Sequence, residues 1–444
     1  MTSMYKLGLA LASVAMLSGC GVLGGGSSSK VTTPTIGNRV SVLSGETGAK
    51  VDEALAGVSV VLPPARANAN WPQPGGMASK SIGHVALGNP LAVAWRAKIA
   101  GSTLRARLAS SPVVDAGRLY AIDTDATVYA FDAANGSKIW TTNVGVSKGD
   151  GKTSSFGGGV SVNGDTIYAT NGVGDVSAIN VADGAVKWKV RPAGPLRGSP
   201  TLSNGNVYVM TQDNQVIALK AADGDLQWSQ SGSVAAAGVF GVAAPAAGQG
   251  TVIAGFSSGE LNAYRYENGR NLWSDALART SITTSVATLS DIDADPVIDR
   301  GRVFALGQGG RMAAYELVTG QRVWELNIAG ISTPAVAGEW LFVLTDEAKL
   351  LSIARSTGKV RWISQLKRYG KPQKKTKPVT WTGPVLAGNR LIVASSDGSV
   401  VAVSPGEGSS SALFELKERV SVRPIVANGM LYILDDGGRI TAWR

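Results

Sequence analysis

The 444-residue sequence predicts an all-β chain closed into a ring of eight four-stranded blades, and three observations predict it. A glycine and a tryptophan recur at one fixed spacing, Gly-x-x-x-Trp, at Gly136/Trp140, Gly184/Trp188, Gly224/Trp228, Gly269/Trp273, Gly320/Trp324 and Gly358/Trp362. Short alternating apolar runs of strand length, separated by turn residues, fill the interval before each marker. The unit repeats at roughly 40 to 50 residues with four strands in each, the arrangement of a β-propeller.

The first copy, residues 111–140, shows the unit most clearly. Pro112 to Val114, Leu119 to Ile122, Val128 to Phe131 and a run around Ile139 and Trp140 make its four strands. Ten residues before each marker Trp lies a small residue: Ala130, Ala178, Ala218, Ala263, Ala314 or Ser352. Twenty-eight before it lies Pro112, Pro200, Pro245, Pro296 or Pro334, with residues 158–160 in that place in the second copy. The marker glycine supplies the turn conformation between the last two strands, where a side chain is strained. The marker tryptophan, burying roughly 150–250 Å², wedges a blade against its neighbour.

Two further copies are degenerate. One begins at Pro384 and ends at Phe414 without the marker; the other begins at Pro424 and stops one strand short. The missing strand is found at the other end of the repeat region, residues 91–99, which carry Trp95 and have no three strands ahead of them. Pairing that strand into the last blade closes eight units into a ring, residues 89–444, and protects the strand edges that an open sheet exposes. The 56 glycines suit a chain with this many tight turns.

Residues 1–19 read as a secretory signal: one charge at Lys6, an apolar run from Leu7 to Leu17, then Ser18 and Gly19. The apolar run is about half of the roughly 20 residues that a membrane span requires. Cys20 is the only cysteine. Residues 20–88 form a lead-in with a Gly/Ser tether at its start and a short helix or extended piece over 51–62. Its proline-rich part, 70–76, is no central strand; it reads as an ordered strap over the domain, anchored by Trp71. His84, the only histidine, is expected to be a packing or surface residue.

The sequence Leu17-Ser18-Gly19-Cys20 resembles a bacterial lipobox, which implies lipidation of Cys20, and Gly21 after it implies sorting to the outer membrane, facing the periplasm. The Ala…Gly-x-x-x-Trp pattern resembles the repeats of pyrroloquinoline quinone (PQQ) dependent dehydrogenases. A lipoprotein made almost wholly of such repeats resembles the BamB family of the outer-membrane β-barrel assembly machinery. Pro195-Leu196-Arg197-Gly198-Ser199-Pro200 and Leu289-Ser290-Asp291-Ile292-Asp293-Ala294-Asp295-Pro296 are similar to two loops of that family. The resemblance implies that Leu196, Arg197, Asp291 and Asp293 contact a BamA-like barrel insertase. It also implies other assembly-complex subunits as partners, and unfolded outer-membrane proteins as clients. Gly194 stands where the family has a further leucine, and the long lead-in departs from the compact enterobacterial pattern.

Read from the residues alone, the same loops admit two arrangements. An exposed Leu196 beside Arg197 is the kind of anchor pair that interfaces favour; equally, Arg197 pairs with Asp291 or Asp293 inside the domain and Leu196 caps a blade. Asp291, Asp293 and Asp295 alternate like the start of a calcium loop, but Pro296 stands at the sixth position and Arg302 at the twelfth, so no metal site is expected. Residues 367–377 hold six basic side chains, expected in an exposed loop between the sixth and seventh blades that is solvated or meets anionic lipid or an acidic partner. No nucleic-acid partner is expected of an exported chain, despite its net charge of +10. With one histidine, no phosphate loop and no cysteine beyond Cys20, no catalytic set and no cofactor are expected. The reading is a non-catalytic scaffold; the alternative is a periplasmic PQQ-dependent dehydrogenase-like enzyme or a ligand-binding propeller.

Overall fold

Alternating apolar residues and tight glycine turns fold each copy into the same antiparallel meander. The computed structural model describes residues 49–104, 106–145, 157–234, 241–277 and 290–444. The signal segment, Cys20 and the tether lie outside them. In blade 1 the strands are Val113–Asp115, Arg118–Ile122, Thr127–Asp132 and Lys138–Asn143, running from the axis outward. Blades 2 to 7 repeat this order over 158–190, 201–231, 246–276, 297–326, 335–365 and 381–415. Blade 8 takes Ile425–Ala427, Met430–Leu434 and Arg439–Trp443 from the end of the chain and Val93–Lys98 as its outer strand. Closure is therefore as expected, with Trp95 opposite Ala442 and Ala92 exchanging backbone hydrogen bonds with Arg444.

The marker residues act between blades. Each Trp indole N–H donates to a backbone carbonyl of the next blade at 2.8–3.1 Å: Trp95 to Ala133, Trp140 to Val181, Trp188 to Ala221, Trp228 to Tyr266, Trp273 to Leu317, Trp324 to Arg355 and Trp362 to Pro405. The small residue ten positions earlier is the direct cross-strand partner, as in Ala218 opposite Trp228 and Ser352 opposite Trp362. The marker glycine has a second role besides its turn. At φ +70° Gly269 lies under the previous blade's Trp228, and an added Cβ would stand 2.7 Å from that ring. Blade 7 has Ala412 in place of the Trp, four residues after Gly408; Phe414 there faces Val400 and stacks on Trp443 with centroids 4.6 Å apart, at the seam to blade 8.

In a four-stranded meander the fourth strand ends at the face where the first began. All blade-to-blade connectors and all turns between second and third strands therefore share one face, called here the connector face. The remaining turns share the opposite face.

The lead-in lies on that opposite face. It joins at the outer strand of blade 6, Val360–Gln365, where Val51 bridges Val360 and Lys359 pairs with Asp52 at 2.9 Å. A 3-10 turn over Glu53–Leu55 is followed by an extended stretch whose Val60 and Leu62 pack on the core between blades 6 and 7. The strap then meets the innermost strands in ring order. Asn68 binds the Val426 carbonyl of blade 8, Trp71 exchanges backbone hydrogen bonds with Val114 of blade 1, and Pro72 accepts from Val162 of blade 2. Gln73 pairs by its amide with Leu202 of blade 3, and Ala78 and Ser79 accept from Ala247 and Ile298 of blades 4 and 5. Gly83 approaches Val336 of blade 6, and Val85 binds Leu386 of blade 7. Trp71 is 1% exposed, as an anchor should be.

His84 is a buried packing residue. Its Nε2 accepts from the Asn389 backbone, so the proton sits on Nδ1, which donates to the Pro63 carbonyl at 2.8 Å. No helix among the described residues is long and apolar enough to cross a membrane.

Candidate docking site

The two loops singled out in the sequence are the connector from blade 2 to 3 and the connector from blade 4 to 5. Leu196 bridges Thr211, and the Arg197 backbone N–H donates to Met210, which folds the first loop down onto the second-strand end of blade 3. The second loop is held by Ile292 N–H to Phe256 and by Gln308 N–H to the Asp291 carbonyl. These backbone bonds aim Arg197 at the two carboxylates.

The guanidinium is fully buried. Its Nη2 lies 2.8 Å from Asp291 Oδ1 and 3.2 Å from Asp293 Oδ1, and Nη1 reaches Ser257 Oγ at 3.4 Å. Asp293 Oδ1 also accepts from the Val242 N–H at 2.7 Å and from Ala243, and Asp295 accepts from Ala244. Burial pushes Asp293 up to about 6; the Arg197 charge opposes this and the Asp291 charge adds to it. Three successive connectors, at 195–199, 241–244 and 290–295, are thereby joined through one arginine.

Of the two arrangements the loops allow, the internal one is present: Leu196 is 0% exposed, which corrects the expectation of an exposed anchor beside Arg197. The reason is the bridge to Thr211, which turns Leu196 onto the apolar cluster of Tyr168, Val207 and Ile217. Just before Leu196 the first loop shows Gly194 and Pro195 to solvent, while Asp291 to Ala294 of the second are buried. Leu289 lies outside the described residues. The three aspartates that alternate like a calcium loop are already engaged by protein donors.

Sequence reasoning missed the middle connector. Gly241 is its requirement, since a Cβ there would fall on the Arg197 guanidinium and the Asp293 carboxylate; a glycine in a loop announces no such neighbour. The connector face also exposes apolar residues, namely Val234 in this same connector and Leu104 and Ile331 in others.

The family model described as "Outer membrane protein assembly factor BamB" matches residues 36–150 and 124–364. The chain belongs to the BamB family. A BamB from Salmonella typhimurium is 28% identical over 338 residues, 74% of this chain and 83% of its own. The crystal structure of BamB from Moraxella catarrhalis superposes with a TM-score of 0.65 at 20% identity, covering 79% of this chain and all but 1% of the other, that is 99%. The quinohemoprotein alcohol dehydrogenase from Comamonas testosteroni superposes with a TM-score of 0.64 at 13% identity over 85% of this chain and 81% of its own. At such identities the likeness to either structure is one of fold, and a shared fold carries no activity.

Proposed function

We propose that this chain is a non-catalytic scaffold subunit of the outer-membrane β-barrel assembly complex. It docks on the BamA-like barrel insertase through the connector face and aids delivery and insertion of outer-membrane proteins. Membership of the BamB family, matched over residues 36–364, is the observation that carries this reading. Lipid on Cys20 holds it to the outer membrane, facing the periplasm. In this reading Leu196, Arg197, Asp291 and Asp293 act from within, by fixing the shape of three connectors whose exposed parts meet the partner. A buried, hydrogen-bonded ion pair adds little net stability but specifies geometry, and breaking it leaves an uncompensated charge.

The test is a photo-crosslinking residue placed at Pro195, which is exposed and makes no side-chain hydrogen bond. Capture of the insertase at position 195, and its loss in Arg197→Leu protein that still gives the parent's near-ultraviolet spectrum, is the expected result. Capture from the opposite face alone, for example from Asn204, overturns the assignment of the docking face.

A further inference from the structure

The basic segment between blades 6 and 7 is more than the linker the sequence suggests. Blades 5 and 6 are joined by 327–334 alone, whereas 366–380 lead from blade 6 to blade 7. The extra chain forms a hairpin, Tyr369–Lys371 against Thr376–Pro378, closed by a 3-10 turn over Pro372–Lys374. Its base is set in the core: Leu366, Val379 and Trp381 are buried together, Trp381 Nε1 donates to the Lys367 carbonyl at 2.8 Å, and Val379 N–H donates to Arg368. Beyond that base, 371–378 are all exposed. Lys367 is paired with Asp397 at 2.7 Å and Arg368 lies over the Tyr369 ring. Lys371, Lys374, Lys375 and Lys377 have no ion pair among the described residues. A rigid base that presents four unneutralised lysines on a projecting tip is a surface built for anionic contact.

The place where the chain enters the domain says which anion. Ala49 to Asp52, the first described residues after the tether, lie on the outer strand of blade 6, through the Val51–Val360 bridge and the Lys359–Asp52 pair. That same strand leads directly into the hairpin. The segment that carries Cys20 therefore attaches at one end of this blade edge and the hairpin with its free lysines leaves from the other, the strand between them, Val360–Gln365, being about 17 Å long. On a ring of eight, the connector from blade 2 to 3 is the one diametrically opposite the hairpin.

We propose that the blade 6 hairpin binds the anionic headgroups of the bilayer to which Cys20 is attached. The ring then stands edge-on, blade 6 toward the lipid and the Arg197 connectors away from it. This rests on the lipid-anchor reading above, and lipidation supplies the proximity that makes weak headgroup contacts effective.

The test uses the full lipidated chain in vesicles whose lipids all carry brominated tails, with a fluorophore on Gln373→Cys. Lipidation occupies Cys20, so the new thiol is the only free one. Should the anchor reading fail, the mass of the protein will lack the acyl groups and two thiols will label, which separates that failure from failure of the hairpin. Quenching is expected in phosphatidylethanolamine vesicles that contain phosphatidylglycerol. It is expected to be lost in phosphatidylethanolamine alone, and in the protein carrying K371E, K374E, K375E and K377E, whose four lysines are all exposed. Equal quenching with and without phosphatidylglycerol, or none with it, overturns the proposal. So does a photo-crosslinker at Gln373 that captures an acidic protein in cells in place of lipid.

Discussion

Trp228 and Gly269 illustrate how a marker residue serves two blades at once. The indole of blade 3 hydrogen-bonds the Tyr266 carbonyl of blade 4 and lies on Gly269 of that blade, with Tyr208 and Tyr264 tilted beside it. Trp228→Ala should cost about 3–5 kcal/mol in urea unfolding. Gly269→Ala should cost about 1–3 kcal/mol, from the contact with the ring and from its left-handed φ of +70°. Because both changes act on one contact, the double variant should lose less than the sum of the two. Asp293 gives a pH signature. Its folded-state value of about 6 lies above the usual 3.8, so the folded chain holds that proton more tightly than the unfolded one. Stability relative to Asp293→Asn should therefore fall as pH rises from about 4 to about 6, measured by urea midpoints of the two proteins across that range. A difference that grows in the other direction would sink the assignment of a raised carboxyl.

At the scale of the element, the strap and the hairpin were legible to different depths, and the reasons are physical. Trp71 could be recognised as an anchor because a tryptophan among prolines has no other way to leave water. That the strap meets eight strands in order could not be read, since those contacts are mostly backbone hydrogen bonds to which any residue contributes. Blades were legible because glycine φ values and the Trp–Ala cross-strand fit are sequence-specific demands. The burial of Leu196 was not, because a surface anchor and a blade cap ask for the same side chain; only the bridge to Thr211 decides between them. For the strap, Trp71→Ala should expose residues 49–92 to limited proteolysis while the blades stay intact. Unchanged resistance would mean that the backbone contacts alone hold it.

The whole molecule depends on one seam. Blade 8 joins strands from the two ends of the repeat region, and its outer neighbours include the Phe414–Trp443 stack and the Trp95 hydrogen bond to Ala133. Proline at Ala97, which faces Ile440 in that outer strand, removes a backbone donor and should lower the urea midpoint of the entire ring in one cooperative transition. Separate loss of blade 8 with the remainder unchanged would show that closure is dispensable.

The order in which the strap meets the blades has a consequence for assembly of the molecule itself. Asn68 needs Val426, near the end of the chain, and Trp71 next to it needs Val114, near the beginning. The strap is made first, yet its partners are complete only when the last blade has closed on Val93–Lys98. It thus works as a ruler of eight divisions: a ring short by one blade, or joined out of register, leaves some of its backbone groups without partners. In pulsed hydrogen exchange during refolding, the amides of Trp71 and Val85 should gain protection after those of the blade strands, so that a segment synthesised before the blades settles after them.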